Sequence, residues 1–197
     1  MGKRRLEAAL RLYSEKHPDE PVPAVRWLPF QLNPDLPSSG MPRKEYIERK
    51  WGAGRGPEVY ARIVGVGREV GLPLAFENIQ VQPNTLDAHR LLHHAGGQGR
   101  QDEVAEELFK AYFVEGLDLT DAATLADVAA RGGLDRAAAL AYLTSDADRD
   151  LVQSADLEAR NAGIGGVPFF IFDRKIGVSG AQGEDVLLSA MEQARSG

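Results

Sequence analysis

Gly163-Ile164-Gly165-Gly166-Val167-Pro168-Phe169-Phe170-Ile171-Phe172-Asp173 is the stretch that decides how this chain is read. A glycine-rich turn leads into Val-Pro, then an apolar run, then a polar turn. Phe169 to Phe172 is rich in β-formers and bounded by turn residues, which predicts a buried strand. Pro168 lacks a backbone donor, and that suits the start or the edge of a strand. Just downstream the sequence predicts a second short strand. Ser179-Gly180-Ala181-Gln182 then opens a last helix through Val186, Leu187 and Met191.

Upstream of this stretch, helical periodicity dominates. Leu6, Leu10 and Tyr13, with Ala9 between them, form an apolar stripe that ends before His17-Pro18, because proline disfavours helix in the residue before it. Lys3-Arg4-Arg5 reads as a solvated helix start. Val22 to Leu32 predicts a first strand, with Val25 and Trp27 alternating with Arg26 and Leu28. A proline-rich loop covers Asn33 to Pro42. Helices follow over Lys44 to Lys50 and Glu58 to Val70, with a glycine-rich connector between them, and Leu72 to Gln82 reads as extended or irregular. Asn84 or Thr85 caps the next helix, which carries Leu86, Arg90, Leu91 and Leu92. Further helices are predicted over Asp102 to Val114, Leu119 to Ala130, Asp135 to Leu143 and Asp146 to Asn161, the last one stopped by Gly163.

Composition narrows the function. The chain has 197 residues, 43% of them hydrophobic, enough for a real core. A net charge of -6 with no basic block argues against nucleic acid and anionic membrane as main partners. No apolar run approaches bilayer length, and the charged amphipathic N-terminus lacks the features of a signal peptide, so the cytoplasm is the expected compartment. With no cysteine, the chain as given has no disulfide, no thiolate metal site and no sulfur nucleophile. His89 and His93 share a helical face, but no intervening Glu makes a His-Glu-x-x-His motif, and no metal or other cofactor is assigned. Gly52-x-Gly54-x-Gly56 lacks the Gly-Lys-Ser/Thr of a phosphate loop and reads as a connector.

Val-Pro-Phe-Phe-x-Phe-Asp followed by Ser-Gly-Ala-Gln resembles the C-terminal half of a thioredoxin-fold domain, closest to the DsbA-like family that includes FrnE-type proteins. Pro29-Phe30-Gln31-Leu32-Asn33-Pro34, Asn84-Thr85-x-x-Ala88-His89-Arg90 and Leu108-Phe109-x-Ala111-Tyr112-Phe113 carry the resemblance along the chain. The fold class it implies is α/β: a thioredoxin-like fold with a large all-helical insertion. Residues 1–42 and 146–197 would form the sheet lobe and residues 43–145 the helical lobe. The resemblance further implies a cis-proline at Pro168, with the Val167 backbone beside the reacting sulfur and able to hydrogen-bond an extended peptide or glutathione. By the same resemblance, Ser179, Gly180, Ala181 and Gln182 would hold an anionic end of glutathione at a helix N-terminus. Asn84 and His89 would line the cleft.

Gly2-Lys3-Arg4-Arg5-Leu6-Glu7 resembles the family's helix after Cys-x-x-Cys, so the chain departs from the pattern by starting at that helix. In the family, the preceding strand is central, between the segments here at Val22 to Leu32 and Phe169 to Phe172. An empty slot would leave those two roughly 10 Å apart, with two rows of unpartnered backbone groups. The expectation is therefore a sequence incomplete at its N-terminus, lacking the first strand and the Cys-x-x-Cys loop. Otherwise the flanking strands pair directly, or another chain donates a strand. The resemblance implies a thiol-disulfide oxidoreductase acting on protein or peptide disulfides or thiols, redox-silent as given because thiolate attack has no sulfur here. Two other readings are a glutathione-dependent isomerase or transferase of the kappa-like branch, and a non-catalytic peptide-binding protein. Where glutathione enters it does so as a substrate rather than a cofactor, and a homodimer is compatible with each reading.

Overall fold

Two apolar surfaces organise the chain. The first lies on α1 (Gly2–Lys16), which turns Ala9 and Tyr13 inward against Leu187 and Met191 of the last helix, α9 (Glu184–Ser196). Between them in sequence, β3 (Phe169–Phe172) and β4 (Ile176–Ser179) form an antiparallel hairpin, with Phe169 opposite Ser179 and Phe172 opposite Ile176. Phe170, Phe172 and Val178 lie on the face that packs against this pair of helices. The period-2 alternation of a strand puts Phe169 and Ile171 on the other face, and Ile171 is 49% exposed. The strand predicted as buried is therefore covered on one side only.

The second surface is a helical core. It is built by α4 (Leu86–Gly96), α5 (Gln101–Phe113), α6 (Ala122–Arg131) and α7 (Arg136–Thr144), with Leu91, Val104, Leu125, Val128 and Ala129 fully enclosed. Small residues at the contacts let these helices approach closely. Side chains cap two of these helices: Asp121 accepts from the Thr124 amide at 2.9 Å and Asp135 from the Ala138 amide at 2.7 Å. Next comes α8 (Arg149–Asn161), which packs beside α4. Fully buried Arg90 on α4 ties these parts together. Its guanidinium donates to the carbonyls of Tyr142, Leu143, Ser145 and Ala147 and pairs with Asp87 at 2.8 Å. Those carbonyls sit at the end of α7 and in the turn after it, where a cation satisfies orphan acceptors. The remaining elements are two-residue β1 (Met41–Pro42), α2 (Arg43–Trp51), α3 (Gly56–Glu69), a 3₁₀ turn over Phe76–Asn78 and β2 (Val81–Gln82), which pairs antiparallel with β1. This computed structural model describes residues 1–52 and 54–196, so the Gly52 to Gly56 connector is seen apart from Ala53.

One predicted element is corrected. Val22 to Leu32 is not a strand; it runs between α1 and β1 without ladder partners, and the described sheets are the two pairs β1–β2 and β3–β4. Trp27 therefore shares no sheet with Phe170 and instead packs edge-on against Phe109 of α5, with centroids 5.8 Å apart. The alternation that suggested a strand reflects an extended segment laid along helices. Direct pairing with β3, one of the arrangements weighed above, does not occur.

Leu125 makes the helical core testable. Leu125→Ala should lower unfolding free energy by about 2–5 kcal/mol in urea titrations, whereas Leu157→Ala, at a 57% exposed position, should change it by under about 0.5 kcal/mol.

Candidate functional site

Three stretches singled out in the sequence meet at one end of the β3–β4 hairpin. The Val167–Pro168 peptide bond is cis. The start of α1 packs directly on this proline: a Cβ on Gly2 would lie 2.9 Å from Pro168 Cγ and 3.4 Å from Phe170 Cζ. Only glycine fits that approach without a shift. Arg5, one turn along α1, donates to the Ala181 carbonyl and so binds the Ser179 to Gln182 loop to the same helix. Within the loop, Gly180 N–H donates to the Pro168 carbonyl at 2.9 Å and the Gln182 side-chain amide donates to the Ser179 carbonyl at 2.9 Å. Ser179 is the last residue of β4, and α9 begins at Glu184, so the loop sits between strand and helix rather than at the helix start.

The hydrogen bonding of the hairpin defines its free edge. Gly180 donates to Pro168, which makes that pair a hydrogen-bonded one, and such pairs alternate along an antiparallel ladder. With the observed register, Phe170 and Phe172 are bonded to β4, and the N–H and C=O groups of Phe169 and Ile171 point away from it. Among the described residues those four groups have no backbone partner. The site is thus a β edge that starts at a cis-proline, next to the N-terminus of a helix. Val167 is 48% exposed at its mouth.

Asn84 and His89 are used elsewhere. The Asn84 amide donates to the Leu36 carbonyl at 2.7 Å, and its oxygen accepts from the Leu86 amide, so it fixes the proline-rich loop to the start of α4. His89 Nε2–H donates to the Phe30 carbonyl at 3.1 Å. Further bonds hold the same segment. The Gln31 amide donates to buried Asp156 at 2.7 Å, the Gln31 carbonyl accepts from Arg160, and the Trp27 amide and carbonyl bond the Gln101 side chain at 2.9 and 3.0 Å. Arg160 also lies over the Phe30 ring at 4.5 Å. Side chains of α4, α5 and α8 thereby do for Trp27 to Gln31 what a neighbouring strand would do. Sequence reasoning missed Gln101, Asp156 and Arg160 in this role, because nothing in helical periodicity marks which polar residues face a neighbouring backbone.

The Lys3-Arg4-Arg5 reading is also corrected. Lys3 reaches Glu7, Asp102 and Glu106, and Arg4 reaches Glu7 and Glu106, so this start of α1 is cross-linked to α5 rather than left in solvent. Arg4 and Lys3 hold the Glu106 carboxyl below its usual range. Among the described residues no group of His, Cys, Asp and Glu is arranged to bind a metal ion. The three histidines of α4 face different partners: His93 lies 3.8 Å from Asp148, and His94 stacks on Tyr142 at 4.3 Å.

A DsbA-like thioredoxin domain matches residues 1–192. The chain belongs to the DsbA-like thioredoxin family. In structure it superposes on a probable DsbA oxidoreductase from Streptomyces coelicolor with a TM-score of 0.87 at 30% identity, covering 99% of this chain and 83% of that one. A second neighbour, a protein disulfide isomerase candidate from Nitrosomonas europaea, shares the fold at a TM-score of 0.66 and 14% identity, over 99% and 90% of the two chains. In sequence the chain is 28% identical over 172 residues to the uncharacterized protein YwbO of Bacillus subtilis, spanning 85% of this chain and 80% of the relative. The α/β class expected from the resemblance is therefore the family fold, carried here by many helices and few short strands.

Two predictions follow from the side-chain anchors. Asp156→Ala leaves the Gln31 amide without its acceptor and should cost about 1–3 kcal/mol in urea unfolding, with faster hydrogen exchange at Gln31. Burial lowers the His89 pKa from its ordinary 6.5, with the Phe30 carbonyl opposing the shift. The unfolded chain therefore takes up the proton more readily than the fold does. The stability this ring contributes is complete above 6.5 and falls as the pH drops from there towards the lowered folded value. The urea midpoint should fall between pH about 7.5 and about 5.5, and His89→Gln should flatten that part of the profile.

Proposed function

We propose that this chain is an FrnE-type member of the DsbA-like family that binds extended polypeptide along the β3 edge at Val167–Pro168 and performs no thiol-disulfide exchange by itself. The observation that carries this reading is the pair of outward-facing residues Phe169 and Ile171, which offer two N–H and two C=O groups directly after Pro168. A polypeptide laid alongside gains main-chain hydrogen bonds there, and its alternate side chains meet exposed Ile171 and Val167. The absence of cysteine supports the second half of the proposal, because exchange requires a thiolate to attack a disulfide sulfur and a sulfur to accept the mixed disulfide.

The helix start beside Pro168 strengthens the reading. Free amides in the first turn of α1 create positive potential at the mouth of the edge, so a carbonyl or carboxylate of the bound polypeptide is favoured there. Glutathione is a smaller ligand of the same chemistry, with peptide bonds and two carboxylates, and the Ser179 to Gln182 loop, held by Arg5 and bonded to Pro168 through Gly180, is near enough to that edge to support this reading.

Fluorescence anisotropy with a labelled, fully reduced insulin B-chain peptide tests the proposal. Saturable binding is expected, weakened about tenfold or more by Ile171→Lys, which places a charge on the exposed position without touching the core. Glutathione should compete at higher concentration. The chain should not accelerate insulin reduction by dithiothreitol. Failure to bind the peptide, binding indifferent to Ile171→Lys, or acceleration of insulin reduction would each refute the proposal.

A further inference from the structure

Arg43 opens α2 and is buried, yet its partners among the described residues are all neutral. Its guanidinium donates to the Gln82 side-chain oxygen, to the Tyr60 hydroxyl and, at 3.4 Å, to the Tyr112 hydroxyl. The Tyr46 and Tyr60 rings flank it at 5.5 and 5.1 Å. Its Nε–H is enclosed and has no acceptor among the described residues. A buried guanidinium is ordinarily matched by a carboxylate or phosphate in planar, two-point fashion. The phenols do not supply that charge: burial pushes Tyr112 up to about 12 and raises Tyr60 as well, so both stay protonated at neutral pH. Asp118, whose field reaches Tyr112, is engaged by the Thr120 amide and hydroxyl at 2.9 and 2.8 Å.

The unsatisfied edge of Arg43 is specific. Nε and the adjacent terminal nitrogen form the side-on face that a carboxylate grips with both oxygens. Among the described residues, one of these two donors has no acceptor and the other is taken only by the Tyr60 hydroxyl. Tyr60 rides on α3, whose close packing is with Ile47 of α2 at Gly56 and with Leu74 at Gly67. On either side of α3, Gly52 (φ 84) and Gly71 (φ 70) have open space around them, so the helix is joined through two points of easy backbone rotation. The Tyr60 ring beside the guanidinium stands against Trp51 and Phe76, at centroid distances of 5.3 and 4.4 Å, and this aromatic group provides apolar cover for a ligand body.

We propose that Arg43 is a receptor for a small organic carboxylate with a flat apolar body, and that the Tyr60 hydroxyl holds its place when the ligand is absent. On binding, α3 lifts enough to withdraw that hydroxyl. The carboxylate oxygens then take Nε–H and the neighbouring N–H, and the ligand body stacks among the rings. This site belongs to the helical part of the molecule and does not depend on the peptide edge at β3.

Isothermal titration with benzoate, with benzamide as the uncharged analogue and inorganic phosphate as the anion without a ring, tests it. Benzoate should bind saturably, and both comparators should bind about tenfold or more weakly. Arg43→Gln should abolish benzoate binding. Tyr60→Phe keeps the ring and removes the competing hydroxyl, so it should tighten benzoate several-fold. Circular dichroism establishes that each variant is folded; if Arg43→Gln is not, Tyr60→Phe decides. Absence of saturable benzoate binding in both the wild type and Tyr60→Phe, equal binding of benzamide, retention of binding in folded Arg43→Gln, or unchanged or weaker binding in Tyr60→Phe would overturn the proposal.

Discussion

Backbone polar groups withdrawn from water must find partners, and in this molecule that requirement is met asymmetrically around one hairpin. On its inner side, β3 is bonded to β4, and Gly180 extends the ladder by donating to Pro168. On its outer side, Phe169 and Ile171 present donors and acceptors to nothing described. The extended segment at Trp27 to Gln31, which the family resemblance places in the same sheet, takes its hydrogen bonds from Gln101, Asp156, Arg160 and His89 instead. Each of these bonds adds roughly 0.5–1.5 kcal/mol, more where a charged group takes part, and together they hold an extended chain in place without a ladder.

This arrangement explains how the candidate site keeps its shape. Gly2 lies against Pro168, Arg5 grips Ala181, and α1 is cross-linked to α5 through Lys3, Arg4 and Glu106. These ion pairs are partly exposed and each contributes modestly. Their common effect is to fix where the N-terminus of α1 points. A positive helix end, a cis-proline and an open strand edge then converge on one small volume, the edge at which we propose that extended polypeptide binds.

Much of this was legible in the sequence. The apolar stripe Leu6, Leu10, Tyr13 and the run Phe169 to Phe172 carry strong periodicity, and the capping chemistry of Asn84 marked the start of α4, where its oxygen accepts from the Leu86 amide. The clustering of Gly2, Pro168 and Ser179 to Gln182 followed from the family resemblance. What failed was the strand at Val22 to Leu32, because strand identity depends on a neighbour and local alternation cannot report whether one is present. Arg90 and Arg43 were illegible for a related reason. An arginine on a helix normally lies at the surface, and only tertiary packing shows that Arg90 closes the end of α7 or that Arg43 is buried with no acid beside it among the described residues.

Residue-resolved amide hydrogen exchange along β3 tests the central claim most directly. The account predicts alternation: Phe170, bonded to β4, exchanges slowly, and Phe169 and Ile171, directed at the free edge, exchange at least about tenfold faster. Equal protection at Phe169, Phe170 and Ile171 in the isolated chain would mean that the edge is already paired, and would contradict it.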